Sequence, residues 1–222
     1  MYAWAINMKG RQFKDVLGIQ WEATTQWAQY LRDVCSKQML QIRGPGIVAQ
    51  VQLGGVGHIV QIDEAMLTKR KNNVGRVPRQ EWVMGLYDHQ NGQAVVLFIP
   101  DRTARTLEAK IREYVAPGSR IWTDGWAAYG GIVTIPSMNY LHETVVHATN
   151  FVDSVTGCCT NAVEGLWSRF RRFIRGKGVQ HTTLNFLQSY TDEFMWRLNY
   201  EDKRPHITFK KLVEHMVRFY GF

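Results

Sequence analysis

The sequence has few cysteines, no long apolar run and a shortage of acidic side chains. Its three cysteines, Cys35, Cys158 and Cys159, are too few for a disulfide framework and are not spaced as a paired zinc site. We therefore predict a reducing, intracellular setting and no structural zinc. No stretch approaches the roughly 20 apolar residues that span a bilayer, and the N-terminus lacks a signal pattern. The sequence thus predicts a soluble protein with no membrane partner.

Basic side chains dominate the charge of the 222 residues. Lysine and arginine number 27 against 19 aspartates and glutamates, which gives a net charge of +8. Such a balance favours polyanionic partners, nucleic acid foremost, although a merely soluble basic protein has the same composition. The hydrophobic fraction of 45% is enough to bury a substantial core.

Residues 1–42 carry apolar residues at helical spacing, interrupted at Gly18. This pattern indicates a helical segment that resembles a helix-turn-helix, although two packed core helices would give the same pattern. The segment starts abruptly without a cap, so we expect it to be truncated at its start. Residues 43–57, rich in glycine, are interpreted as a linker.

The period of the pattern changes after the linker, from helical spacing to short β-rich runs. The fold class predicted for residues 58–200 is α/β, with a mixed sheet flanked by helices in the order β-β-β-α-β-α-α. Residues 201–222 are expected to form a loop and a terminal helix. The predicted strands are residues 58–65, 81–88, 93–100 and 119–124, and the predicted helices are residues 103–115, capped by Thr103, and 183–199.

A further predicted helix, from Asn161, carries a carboxylate beside its apolar stripe. Glu164 shares one face with Ser168, Arg171 and Arg175, so positive charge extends along the helix away from it. A purely structural role for Glu164 is at least as well supported by this helix alone. Asn161-x-x-Glu164 also fits a capping box, in which Glu164 accepts from the Asn161 backbone N–H.

Two aspartates end predicted strands and add to this carboxylate. Asp63 closes "IVQID" and Asp124 closes "RIWTD". Carboxylates at neighbouring strand ends, facing a third on a helix, can hold two Mg²⁺ ions for phosphoryl transfer. Each aspartate alone could instead be a turn acid, particularly Asp124 before Gly125. The combination of three favours a nuclease-type or strand-transfer site.

Two basic clusters flank these carboxylates in sequence and are candidates for contacts to DNA phosphates. A charge run is more often a solvated face, but each cluster adjoins a candidate site residue. Trp126 and Tyr129 could stack on a splayed base, with core packing as the alternative, and His147 could assist a metal site or hold its loop. The clusters are Lys69, Arg70, Lys71, Arg76 and Arg79, and Arg169, Arg171, Arg172, Arg175 and Lys177.

Four segments, "IDEA", "TDGWAAY", "VVHATNFVD" and "TNAVEGLW", resemble the successive signature blocks of the Merlin-type DDE transposases and their bacterial insertion-sequence relatives. The resemblance implies an RNase H-like core in which Asp63, Asp124 and Glu164 hold two Mg²⁺ or Mn²⁺ ions. It also implies metal-dependent DNA cleavage and strand transfer, in cut-and-paste transposition.

The expected partner is double-stranded DNA, both the terminal repeats of the element and the target. The protein is expected to assemble as a homo-oligomer on DNA, in the nucleus of a eukaryotic host or in the cytoplasm or nucleoid otherwise. The alternative is a transposase-derived DNA-binding protein that has lost catalysis.

Overall fold

The computed structural model describes residues 1–8, 10–43, 52–67, 81–145, 157–177 and 184–221. The chain divides into two compact units: a helical unit of residues 1–48 and 179–222, and a sheet unit of residues 49–178. None of the described helices is both long and apolar enough to cross a membrane.

The elements follow the predicted pattern closely. Helices of the helical unit are α1 Tyr2–Ala5, α2 Gly10–Leu17, α3 Trp21–Arg43, α6 Leu184–Tyr200 and α7 Pro205–Tyr220. The sheet unit contains α4 Ala104–Tyr114 and α5 Asn161–Gly176. Its strands are β1 Leu53–Gly54, β2 Ile59–Met66, β3 Trp82–Asp88, β4 Ala94–Ile99, β5 Val115–Ala116, β6 Arg120–Asp124 and β7 Leu141–Val145.

Within the described residues, five strands form a mixed sheet in the order β4-β3-β2-β6-β7. Strands β2, β3 and β4 pair antiparallel, and β6 pairs parallel with both β2 and β7. This order and these directions confirm the predicted RNase H-like mixed sheet. Strands β1 and β5 form a separate short parallel pair.

The predicted element order lacked the two-residue strands β1 and β5 and one strand of the mixed sheet, β7, which the structure places between β6 and α5. Its sequence, "LHETV", has little apolar content because β7 is an edge strand in which only Val145 is buried. A half-exposed edge strand does not need the apolar run that makes an interior strand visible in a sequence. The predicted element order was therefore wrong at β7, as well as at β1 and β5.

Local chemistry sets the ends of several elements. Asp88 at the end of β3 is fully buried and accepts hydrogen bonds from the backbone N–H groups of Gln90 and Asn91, which closes the predicted hairpin. Thr103 is the N-cap of α4 and accepts from the Thr106 backbone N–H, as expected. The apolar face of α4 is buried through Leu107, Ile111 and Tyr114.

The helical unit has the predicted break at Gly18, where φ is +63° and a left-handed residue ends α2. On α3, Leu31 and Val34 are buried, whereas Trp27 and Tyr30 are exposed. Helix α6 packs against α3 in this unit. The grouping differs from the predicted bounds, which placed residues 184–199 in a catalytic domain of residues 58–200. DNA recognition by the helical segment stays a prediction.

Candidate active site

Asp63 and Asp124 lie at the same height along two neighbouring strands of the sheet. Strands β2 and β6 run parallel with Gln61 opposite Trp122, and each aspartate lies two residues beyond that pair. Asp124 is the last residue of β6, as predicted, but β2 continues to Met66, so Asp63 lies within its strand. Asp124 Oδ1 also accepts from the Trp126 backbone N–H at 3.0 Å, so the turn role that we considered for Asp124 is present.

Glu164 lies in the first turn of α5 and is exposed. The N-cap of α5 is Thr160, so Asn161 is the first helical residue and the capping box anticipated at Asn161 is out of register. The Thr160 hydroxyl donates to Glu164 Oε1 at 3.1 Å and makes no capping hydrogen bond. Glu164 lines a cavity of about 430 Å³ together with Asp63, Ser168 and Arg171.

A glutamine on the neighbouring strand replaces the missing cap. Gln61 is fully buried on β2, and its Oε1 accepts from the backbone N–H groups of Ala162 at 2.9 Å and Val163 at 3.2 Å. These groups belong to the first turn of α5, which has no partners within the helix. Gln61 therefore ties the start of the helix that carries Glu164 to the strand that carries Asp63.

The indole of Trp167 contacts the candidate site directly. Its Nε1 donates to Asp63 Oδ2 at 2.8 Å. Trp167 is buried, because it belongs to the predicted apolar stripe of α5, in which Val163 and Phe170 are also buried. A stripe residue that we had expected only to pack therefore also orients a candidate metal ligand.

Burial raises the pKa of Asp63, and the negative charges of Asp124 and Glu164 raise it further, while the hydrogen bond from Trp167 opposes the shift. Asp124 and Glu164 therefore each lie close enough to Asp63 to repel its negative charge. A bound cation would offset this repulsion, and oxygen donors are those that Mg²⁺ prefers. Among the described residues, however, no three His, Cys, Asp or Glu side chains are grouped closely enough to hold a metal ion.

Glu64, a fourth carboxylate beside the site, was not identified from the sequence. Glu64 follows Asp63 on β2 and is 9% exposed. Its Oε2 accepts from Arg102 Nε at 2.9 Å, and its Oε1 accepts from the Tyr129 hydroxyl. Burial raises the pKa of Glu64 to about 7, although the Arg102 charge opposes this. An acid next to Asp63 within an apolar strand was a signal that it needed a partner, but its partners lie 38 and 65 residues away.

The basic residues of α5 divide into two sets. Arg171, Arg172 and Arg175 line a cavity of about 510 Å³ with Ser168, and Arg171 also borders the cavity that holds Asp63 and Glu164. We call this surface the arginine groove. Arg169 instead lies over the Tyr87 ring, and Lys177, the C-cap of α5, lies over the Phe173 ring.

Several other candidate residues have definite outcomes. Tyr129 is buried and packs in the core, as the bland alternative held, while Trp126 is exposed. Cys158 is buried against Trp122 and Val145. Five predicted DNA contacts and one loop histidine lie outside the described residues: Lys69, Arg70, Lys71, Arg76, Arg79 and His147.

Residues 52–199 match the model of the ISXO2-like transposase domain family. The chain belongs to this family. The match confirms the predicted resemblance to transposases of bacterial insertion sequences, and it covers every described candidate site residue on β2, β6 and α5. No curated protein matches the chain.

The solved structures that are similar to this transposase domain include two integrase catalytic cores. One is the HTLV-2 integrase catalytic core domain in complex with magnesium, with 16% sequence identity, a TM-score of 0.46, and coverage of 70% of this chain and 92% of that chain. The other is the catalytic core domain of BIV integrase, with 12% identity, a TM-score of 0.46, and coverage of 72% and 98%.

Proposed function

We propose that the chain cuts DNA at the ends of a mobile element and joins them to target DNA, with Asp63, Asp124 and Glu164 as ligands of two Mg²⁺ or Mn²⁺ ions. The observation that supports this proposal is that Asp63 and Asp124 lie at the same level of the neighbouring parallel strands β2 and β6, and that Asp63 and Glu164 line one cavity. Divalent ions bound there would activate the attacking oxygen and stabilise the leaving one.

Other residues of the chain would position the proposed ligands and bind the DNA. Trp167 fixes the carboxylate of Asp63, and Gln61 fixes the start of α5. The Glu164 carboxylate now accepts from the Thr160 hydroxyl, so we expect it to leave this hydrogen bond when it becomes a ligand. The arginine groove would bind phosphates beside the scissile bond, because it adjoins the cavity that holds Asp63 and Glu164.

The partners proposed are double-stranded element ends and target DNA, bound by a homo-oligomer. An intracellular location follows from this substrate, in the nucleus of a eukaryotic host or otherwise in the cytoplasm or nucleoid. A DNA-binding protein without catalysis is the second candidate, because no group of three ligands is assembled among the described residues.

Cleavage of a labelled duplex that carries the terminal repeat flanking the gene tests the proposal. Asp63→Asn and Asp124→Asn should each abolish Mg²⁺-dependent cleavage and bind DNA as tightly as the parent or more tightly, because each loses a ligand and a negative charge near phosphate. Ca²⁺ should permit binding without cleavage. Glu113→Gln, which changes a surface carboxylate paired with Lys110, should cleave normally.

Glu164→Gln separates a role of Glu164 in catalysis from a role in the stability of α5. Glutamine can still accept from the Thr160 hydroxyl, so the variant should melt like the parent, within about 0.5 kcal/mol. It should bind DNA but fail to cleave it. Normal cleavage by Glu164→Gln, or by either aspartate variant, would remove the triad assignment. Binding of the duplex without cleavage by the parent would leave the DNA-binding protein as the conclusion.

A further inference from the structure

Two tryptophans and an arginine cluster at the edge of the candidate site. The guanidinium carbon of Arg102 lies over the Trp82 ring, 4.6 Å from its centroid, and over the Trp126 ring at 4.7 Å. Both distances are within the range of favourable cation–π contact. Trp82 and Glu64, the ion-pair partner of Arg102, line the cavity that contains Asp63 and Glu164.

Arg102 is fixed in this position by an ion pair with Glu64. Its Nε donates to the buried carboxylate of Glu64, which the Tyr129 hydroxyl also contacts. Separating a carboxylate as deeply buried as Glu64 from its charged partner would strongly destabilise the folded protein. The ion pair therefore keeps the Arg102 guanidinium in this position. The arginine therefore presents a constant surface to the two rings.

A hydrogen bond fixes the backbone of Trp126, whereas its ring is exposed to solvent. Its N–H donates to Asp124 Oδ1 at 3.0 Å, which ties it to a proposed metal ligand two residues earlier. The side chain is nevertheless 46% exposed, although Arg102 covers part of it. A large exposed aromatic ring that lies two residues from Asp124 and under an arginine suits a ligand that is both aromatic and attached to a polyanion.

We propose that Trp126, backed by Arg102, is a binding site for one unpaired nucleobase of the DNA strand beside the scissile phosphate. This inference rests on the proposed function, because it takes the same DNA as its ligand. A paired base is stacked within the duplex, so only a base that has left the stack can offer its face to the ring. Base–aromatic stacking is worth about 1–3 kcal/mol per base, which is roughly a 5- to 150-fold effect.

The competing explanation is that Trp126 only covers the Glu64–Arg102 ion pair. An abasic scan separates the two. Cleavage rates of the parent and Trp126→Ala are compared on the terminal-repeat duplex and on duplexes that each lack one base near the cleavage position. On the intact duplex Trp126→Ala should be at least fivefold slower, and at one abasic position the two rates should become equal, because the ring there has no base to bind. Trp126→Phe should stay within about threefold of the parent.

Phe186→Ala is the matched control, since Phe186 is also an exposed aromatic residue, at 41%, with an arginine, Arg32, over its ring, but lies on α6 of the helical unit. It should match the parent on every duplex. The same scan is repeated as equilibrium binding in Ca²⁺, so the inference is judged even if the parent does not cleave, a result that would count against the proposed function alone. A deficit of Trp126→Ala that is equal at every abasic position, or no deficit in either assay, would overturn the inference.

Discussion

Gly85 admits the indole of Trp167. A β-carbon at Gly85 would lie 2.7 Å from Cζ2 of the Trp167 ring, closer than real β-carbons approach other atoms. Gly85 is also the residue that pairs with Asp63 across β2 and β3. The missing side chain therefore creates the space in which Trp167 reaches Asp63 and donates its hydrogen bond. A glycine inside a strand marks such a close approach.

Gly85→Ala should reduce cleavage more strongly than it reduces DNA binding, because the displaced indole no longer orients Asp63. We expect a loss of about 1–3 kcal/mol in unfolding free energy from the overpacked core. Gly165→Ala is the control: a β-carbon there meets no atom within 4 Å, and alanine favours the helix by about 0.5–1 kcal/mol. Denaturant unfolding and single-turnover cleavage measure both effects. Parent-like cleavage by Gly85→Ala would show that the indole does not need this position.

Gln61→Leu should destabilise the fold by about 1–3 kcal/mol, because two N–H groups at the start of α5 lose their buried acceptor. Cleavage should also require more Mg²⁺, since Glu164 is no longer held beside β2. Gln90→Leu also removes a glutamine oxygen that accepts a backbone N–H, that of Ile59, but at an exposed site. Its cost should stay within about 0.5 kcal/mol, as measured by urea unfolding. Equal costs for the two variants would mean that Gln61 is not a cap.

Arg171→Ala and Arg175→Ala should each flatten the dependence of DNA affinity on salt. Each phosphate contact contributes about 0.9 to the slope of log K against log salt, so each variant should lower its steepness by about that amount. Arg105→Ala, an exposed arginine on α4, should leave the slope unchanged. Fluorescence anisotropy between 50 and roughly 200 mM salt covers the useful range.

The basic segment that contains Lys69, Arg70 and Lys71 is tested in the same assay. Their triple alanine variant should flatten the slope further if this segment binds phosphates, whereas an unchanged slope would remove it from the DNA path.

The stability of the protein should fall in acid through His215. This side chain is buried, and its Nδ1 accepts from Trp196 Nε1 at 2.9 Å, so it must be neutral when folded. Burial lowers its pKa from 6.5 to about 4. Between these values the unfolded chain takes up a proton that the folded chain does not, so the unfolding free energy falls as pH falls, by about 3 kcal/mol. His215→Asn should lose this part of the pH dependence, while His206→Asn, at an exposed position, should retain it in unfolding titrations.

The elements with a strong local pattern could be predicted from the sequence. The apolar spacing of Val163, Trp167 and Phe170 gave α5, and the structure starts it at Asn161 as expected. The hairpin and the capped α4 followed from turn and cap residues. These features depend on neighbours within a few positions, which a single sequence displays.

The supports of the site could not be predicted, because each joins residues far apart in the chain. Gln61 caps a helix that starts 100 residues later, and Trp167 bonds an aspartate 104 residues earlier. Nothing local marks these residues, since a glutamine in a strand and a tryptophan in an apolar stripe have ordinary explanations. Tertiary contact alone gives them a role at the site.

The division of the chain into two units sets the order in which they can fold during synthesis on the ribosome. The sheet unit is one continuous stretch, residues 49–178, whereas the helical unit combines the first 48 residues with residues 179–222. Domains generally fold as units while the chain emerges. The sheet unit can therefore fold as soon as it has emerged, while α1 and α3 cannot complete their packing until α6 and α7 have been made.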